Sequence, residues 1–83
     1  MSSEISVKVE YFAVLREQRG LSSETRLTGC ESPQDLYHEL AREHGFRLPL
    51  RDLKVAVNGE FGQFSQTLRD GDTVVFIPPV AGG

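Results

Sequence analysis

Ser32-Pro33-Gln34-Asp35-Leu36-Tyr37-His38-Glu39-Leu40-Ala41-Arg42-Glu43-His44-Gly45 carries the signals for both of its own ends. A serine hydroxyl accepts an unpaired backbone N–H of a first helical turn, so Ser32 reads as the N-cap. Pro33 suits the first helical position, where its missing N–H costs nothing, and Asp35 places negative charge at the positive end of the helix dipole. Leu36, Leu40 and Ala41 recur at helical spacing with Tyr37 beside them, which makes one apolar face that reads as core. Gly45 closes the segment because glycine adopts the left-handed conformation that ends many helices.

The segments on either side have a period of two. Ile5, Val7, Val9 and Tyr11 alternate with Ser6, Lys8 and Glu10, which predicts a strand with one face in the core. A short helical stretch, Ala13–Arg19, is closed by Gly20, and residues 23–27 are polar enough for an edge strand. Beyond the long helix, Phe46-Arg47-Leu48-Pro49-Leu50 reads as a loop anchored by apolar side chains. Residues 53–57 form a buried strand that turns at Asn58-Gly59, a hairpin signal, into Glu60-Phe61. A loop containing Leu68 leads to the Asp70-Gly71-Asp72 turn and a final strand, Thr73–Ile77. One main helix packed on a mixed four- to five-stranded sheet is an α+β, two-layer domain.

Composition narrows the function classes. Eighty-three residues make one small domain with no room for a second core. Hydrophobic residues at 39% and charged residues at 25% are an ordinary globular balance and argue against disorder. A net charge of -3 offers no basic patch for nucleic acid. No apolar run approaches the ~20 residues that span a bilayer. The first residues, Met1-Ser2-Ser3-Glu4, have neither the basic nor the apolar region of a signal peptide, so a cytoplasmic location is expected. Cys30 is a lone cysteine, which excludes an intramolecular disulfide, and no neighbouring His or Lys is placed to activate it. His38 and His44 are six apart rather than three or four and read as solvated surface groups. No metal site, phosphate loop or nucleophile elbow appears, so no cofactor is expected to be bound.

The last residues stand apart. After Ile77, the pair Pro78-Pro79 cannot donate to a sheet ladder and biases the chain toward an extended course. Val80-Ala81-Gly82-Gly83 then carries two small apolar side chains and ends without any side chain. Residues 1–77 are expected to form the domain and residues 78–83 an extended tail that reaches roughly 20 Å. Such a tail can deliver a terminal carboxylate into a narrow site on another protein.

Several segments together resemble the small subunits of molybdopterin synthase. They are Tyr11-Phe12-Ala13-Val14-Leu15-Arg16-Glu17, Val57-Asn58-Gly59, Leu68-Arg69-Asp70-Gly71-Asp72-Thr73-Val74, and the ending Phe76-Ile77-Pro78-Pro79-Val80-Ala81-Gly82-Gly83. The resemblance implies a ubiquitin-like β-grasp fold and a sulfur carrier without catalytic residues of its own. By that resemblance the Gly83 carboxylate is adenylated with ATP by a ubiquitin-activating-like adenylyltransferase. A sulfurtransferase-supplied sulfur then makes it a thiocarboxylate, and Gly82 gives clearance around it. The charged tail enters the large synthase subunit, in a heterotetramer, and gives sulfur to cyclic pyranopterin monophosphate.

Strand parity adds a docking face. With Ile5, Val7, Val9 and Tyr11 in the core, Phe12 emerges on the face of Lys8 and Glu10. Val74 and Phe76 point at the helix, leaving Ile77 outward with Thr73 and Val75. Phe12, Phe61 and Ile77 are expected to form an exposed apolar cluster at the root of the tail, with Pro78, Pro79, Val80 and Ala81 completing the partner-binding residues. A second small core under the loop at residues 60–68 is the other reading of these side chains. Arg16, Glu17, Arg69, Asp70 and Asp72 read as surface or turn residues. Two other functions share the tail: a carrier for thiamine, cysteine or transfer-RNA thiolation, and a ubiquitin-like modifier joined to lysines through Gly83. An inert interaction domain is the third rival.

Overall fold

The computed structural model describes residues 4–79. Within them the order is β1 (Ile5–Tyr11), α1 (Ala13–Arg19), β2 (Ser23–Thr28), α2 (Pro33–His44), a single 3-10 turn (Leu50–Asp52), β3 (Lys54–Val57), β4 (Glu60–Phe61) and β5 (Thr73–Ile77). The five strands form one sheet in the order β2-β1-β5-β3-β4. β1 and β5 lie parallel at its centre, while every other pair is antiparallel.

The long helix has the ends its letters predict. Ser32 is extended and its Oγ accepts the Asp35 N–H at 3.2 Å, while Gly45, at φ 74°, donates its N–H to the Ala41 carbonyl at 2.8 Å. Leu36, Tyr37 and Leu40 are buried against Val7, Val9, Tyr11, Val55, Val74 and Phe76 of the sheet. Each such aliphatic or aromatic side chain contributes about 1.5–3 kcal/mol when removed from water. Tyr37 packs edge-on to Phe76 at 5.3 Å, and Phe64 stacks on the same ring at 6.4 Å. The buried Tyr37 hydroxyl donates to the Leu48 carbonyl at 2.8 Å, so its polar group is satisfied where it leaves water.

Two turns fix the register of the sheet. Asn58 and Gly59 both have positive φ, 54° and 85°, the requirement of the tight hairpin turn read from sequence. Asn58 Nδ2 donates to Asp72 Oδ1 at 2.8 Å, and its Oδ1 accepts the Thr73 N–H at 2.9 Å, which ties the β3–β4 turn to the start of β5. Asp70 Oδ1 accepts the Ser6 N–H at 2.7 Å, and Asp72 Oδ2 that of Arg69 at 2.8 Å. Arg69-Asp70 and Asp72 thus sit where turn formers were expected.

Two expectations are corrected. The segment before β3 is no plain loop: Leu50–Asp52 makes a 3-10 turn whose cap is the buried Leu53, so the strand starts at Lys54. His38 is exposed, but His44 is not a solvated group. The left-handed turn at Gly45 folds Phe46 back toward the helix, its ring lies 5.9 Å from the His44 ring, and Nε2 is buried with no hydrogen-bond partner. As expected, Phe61 stays outside, with 75% of its surface exposed, while the loop after β4 joins the main core through Phe64 and Leu68. That loop is tied to the start of α2 by Gln34 N–H to Phe64 O and Leu68 N–H to Glu31 O.

Packing outweighs capping in this arrangement. Leu40→Ala is expected to lower the unfolding free energy by about 2–5 kcal/mol, against ~1 kcal/mol for Ser32→Ala. Urea denaturation of both variants checks the ranking, and equal losses would contradict it.

Candidate functional site

The site is set by the ends of the two central strands. Tyr11 pairs with Phe76 across the parallel β1–β5 ladder, and both side chains are buried beneath α2. Their successors, Phe12 and Ile77, therefore belong to the opposite face. Glu10, Val75, Ala56 and Phe61 are successive register partners from β1 to β4 and make a row across that face. Ile77 has Lys54 as its register partner on β3.

Phe12 owes its position to an unusual backbone. It is extended, at φ -126°, and the next residue, Ala13, sits at φ 53°, a left-handed conformation that costs a non-glycine residue about 1–2 kcal/mol. That bend turns the chain directly from β1 into α1, and the Phe12 carbonyl accepts the Leu15 N–H at 3.1 Å. Phe12 keeps 46% of its surface exposed. α1 has seven residues, far below the length at which an isolated helix holds together. Burial of Leu15 holds it at one end. Arg19 holds it at the other, donating through Nε and Nη2 to the two Glu24 oxygens of β2 at 2.9 and 2.8 Å.

Tyr11 completes that cluster, its hydroxyl donating to Glu24 Oε2 at 2.6 Å. The Arg19 guanidinium brings the Glu24 carboxyl from the usual 4.5 down to about 2, against the opposing effect of burial and with help from the Tyr11 hydroxyl. Burial, then the Glu24 carboxylate, hold the Tyr11 phenol far above its ordinary range.

The expected apolar cluster is divided. Residues 77–79 form a shared wall between two hollows. One, of about 620 Å³, is lined by Phe12, Ala13, Val14 and Leu48 on its far side, with Glu17 at its margin. The other, of about 390 Å³, lies between that wall and Phe61, with Asp52 and Lys54. Lys54 Nζ stands 5.9 Å from the centre of the Phe61 ring, a cation–π approach on the open face. Phe12 and Phe61 are exposed as expected, whereas Ile77 and Pro78 are half-buried and Pro79 is exposed. Ile77 is partly covered because β5 runs through the middle of the sheet and has a neighbour on each side. Val80, Ala81, Gly82 and Gly83 lie outside the described residues. Leu48, Val14 and Glu17 are additions that sequence reasoning missed; only the predicted short helix hinted that Phe12, Val14 and Glu17 share a neighbourhood.

Nothing else in the described residues resembles a reactive centre. Burial pushes the Cys30 thiol up, and the Glu39 carboxylate, 3.4 Å from Sγ, adds to this, so the sulfur stays a protonated donor. No group of His, Cys, Asp and Glu among the described residues is placed to hold a metal ion. No helix there is long and apolar enough to cross a membrane.

Comparison with known proteins gives the family and the fold. The model of the ThiS family matches residues 9–83. The molybdopterin synthase sulfur carrier subunit of Escherichia coli is 36% identical over 80 residues, covering 93% of this chain and 99% of the relative. Among solved structures, the complex of subunits 1 and 2 of molybdopterin-converting factor from Helicobacter pylori contains a chain similar at TM-score 0.63 and 25% identity, with 95% of this chain and 100% of that one covered. Caldiarchaeum subterraneum ubiquitin matches at TM-score 0.63 and 16% identity over 98% of this chain and 100% of its own, a likeness of fold alone, which makes the architecture a ubiquitin-like β-grasp.

The Arg19–Glu24 pair has a consequence in acid. Because the folded pKa of Glu24 lies below its unfolded value, its contribution is complete above about pH 4.5 and is lost as pH falls toward 2. Chemical denaturation between pH 6 and 2 is expected to show a shallower acid loss in Glu24→Gln than in the unaltered protein. Superimposable slopes would show that the pair contributes nothing.

Proposed function

This chain belongs to the ThiS family, and on that premise we propose that it is the sulfur carrier subunit of molybdopterin synthase. The observation that carries the reading is the extent of the match: the family model runs through to Gly83, and the Escherichia coli relative aligns over nearly its whole length. The hollows on both sides of residues 77–79 support it, since they offer a partner apolar surface to grip beside the residues that precede Val80 in sequence.

In this reading Gly83 bears the chemistry. An α-carboxyl group with a pKa of ~3.5 is an anion at neutral pH and a poor electrophile. Adenylation corrects this: a carboxylate oxygen attacks the α-phosphorus of ATP, pyrophosphate leaves, and the acyl carbon gains AMP as a leaving group. The terminal sulfur of a sulfurtransferase persulfide attacks the acyl carbon and expels AMP. A thiol reductant then cleaves the resulting acyl disulfide, freeing the sulfurtransferase and leaving a thiocarboxylate, which the large subunit brings against cyclic pyranopterin monophosphate to build the dithiolene. Gly82 lets both partners approach the backbone closely. Phe12, Phe61, Ile77, Pro78, Pro79, Val80 and Ala81 form the contact surface. The chain turns nothing over alone and binds no cofactor; ATP is consumed by the adenylyltransferase, and the working assembly is a heterotetramer with the large subunit in the cytoplasm. Carrying the sulfur on a protein gains rate by orienting it at the acceptor, a gain free sulfide lacks.

Mass spectrometry of the protein purified from its own host tests the reading. Replacement of one terminal oxygen by sulfur is expected; isopeptide adducts to lysine would establish a modifier, and a carboxylate that is never altered an inert domain. Deletion of Gly83 is expected to abolish molybdopterin formation with purified large subunit while leaving the thermal transition unchanged. Sustained synthesis by the truncated protein would overturn the assignment, and sulfur transfer that serves thiamine, cysteine or transfer-RNA thiolation instead would move it to another pathway.

A further inference from the structure

Glu17 is the one ionisable side chain on the wall of the larger hollow; the remainder of that wall is apolar or proline. It projects from α1, is exposed, and takes part in no ion pair among the described residues. Of the two arginines on α1, Arg19 is paired with Glu24, and Arg16, next to Glu17 in sequence, forms no ion pair with it among the described residues. The two hollows are unlike: the one beside Phe61 is lined by Lys54 and Asp52, of opposite sign, whereas the one beside Phe12 has a carboxylate as its single charged lining residue.

An exposed carboxylate at the edge of an apolar hollow is stable only while water reaches it. A partner that fills the hollow displaces that water, and the loss is costly unless the partner supplies a donor or a cation in its place. Charge at such a position therefore discriminates between occupants more than it adds raw affinity. We propose that the hollow between Phe12 and Pro79 receives an apolar segment of the large synthase subunit that carries an arginine or lysine, whose side chain pairs with Glu17. The proposal rests on the carrier reading and adds the chemistry of the partner's contact. Glu17 makes no contact with the reacting atoms; it is a specificity-determining residue. The chain's net charge of -3 acts in the same direction, drawing a basic partner face toward it before contact.

Titration calorimetry of the purified large subunit with the carrier and three variants tests this. Glu17→Gln is expected to weaken binding about threefold, the range of a partly exposed ion pair, and Glu17→Lys by roughly tenfold or more. Binding of the unaltered carrier is expected to weaken with added salt more steeply than binding of Glu17→Gln. Circular dichroism melts confirm that these exposed substitutions leave the fold intact. Unchanged affinity for Glu17→Lys, or tighter binding of Glu17→Gln through a purely apolar occupant, would overturn the pairing. Phe12→Ala separates the two levels of inference. If it weakens binding while the Glu17 variants do not, the charge pairing falls and the docking face stands; if none of the three weakens binding, both fall.

Discussion

The parallel pairing of β1 with β5, and above all the pairing of Tyr11 with Phe76, is the constraint from which the rest of the structure follows. Both side chains point at α2 and are almost wholly buried, and each lies within an aromatic group that includes Tyr37 or Phe46. A strand that slipped by one residue would move its apolar set to the wrong face. The depth of this core thus fixes the register, and the register fixes what comes next on each strand. Phe12 and Ile77 are each one residue past a core aromatic, so both fall on the side of the sheet away from α2. The proposed contact face is in this sense a by-product of the core.

The face is held less strongly than the core. Phe12 lies on a bend that passes through Ala13 in a left-handed conformation and into a helix too short to persist alone. Leu15 and the Arg19–Glu24 pair supply what the local sequence does not. The other flank has its own support, because Asn58 links the β3–β4 turn to β5 through Asp72 and Thr73. Two independent devices therefore position the two sides of the hollowed face, while the wall between them, residues 77–79, continues the central strand.

Features coded by neighbouring residues were legible in the sequence, and features created by distant contacts were not. Ser32, Pro33 and Gly45 bracket α2 by local chemistry, and the structure has them in those roles. Asn58-Gly59 and Asp70-Gly71-Asp72 likewise name their own turns, and the alternation of Thr73–Ile77 assigns each side chain to its face. By contrast, nothing local to His44 announces its burial, which depends on Phe46 folding back across it. Ala13 looks like an ordinary helix former, yet it carries the left-handed bend. Parity placed Phe12 and Ile77 on one face but said nothing about distance, so the division of the apolar cluster by residues 77–79 emerged only in three dimensions. Glu17 was invisible as a site residue for the same reason: its neighbours Leu48 and Pro79 are remote in sequence.

Alternation also separates the two demands made on this small chain. On β5, Val74 and Phe76 are buried in the core while Ile77 lies on the proposed contact face; at the end of β1, Tyr11 is in the core and Phe12 on that face. Substitution of an outward side chain removes less buried area, whereas an inward one leaves a cavity in a close-packed interior. A domain this small has no spare core from which to compensate a destabilised site. With the proposed contact residues one position out of phase with the core, that face can vary without unfolding the body that presents it.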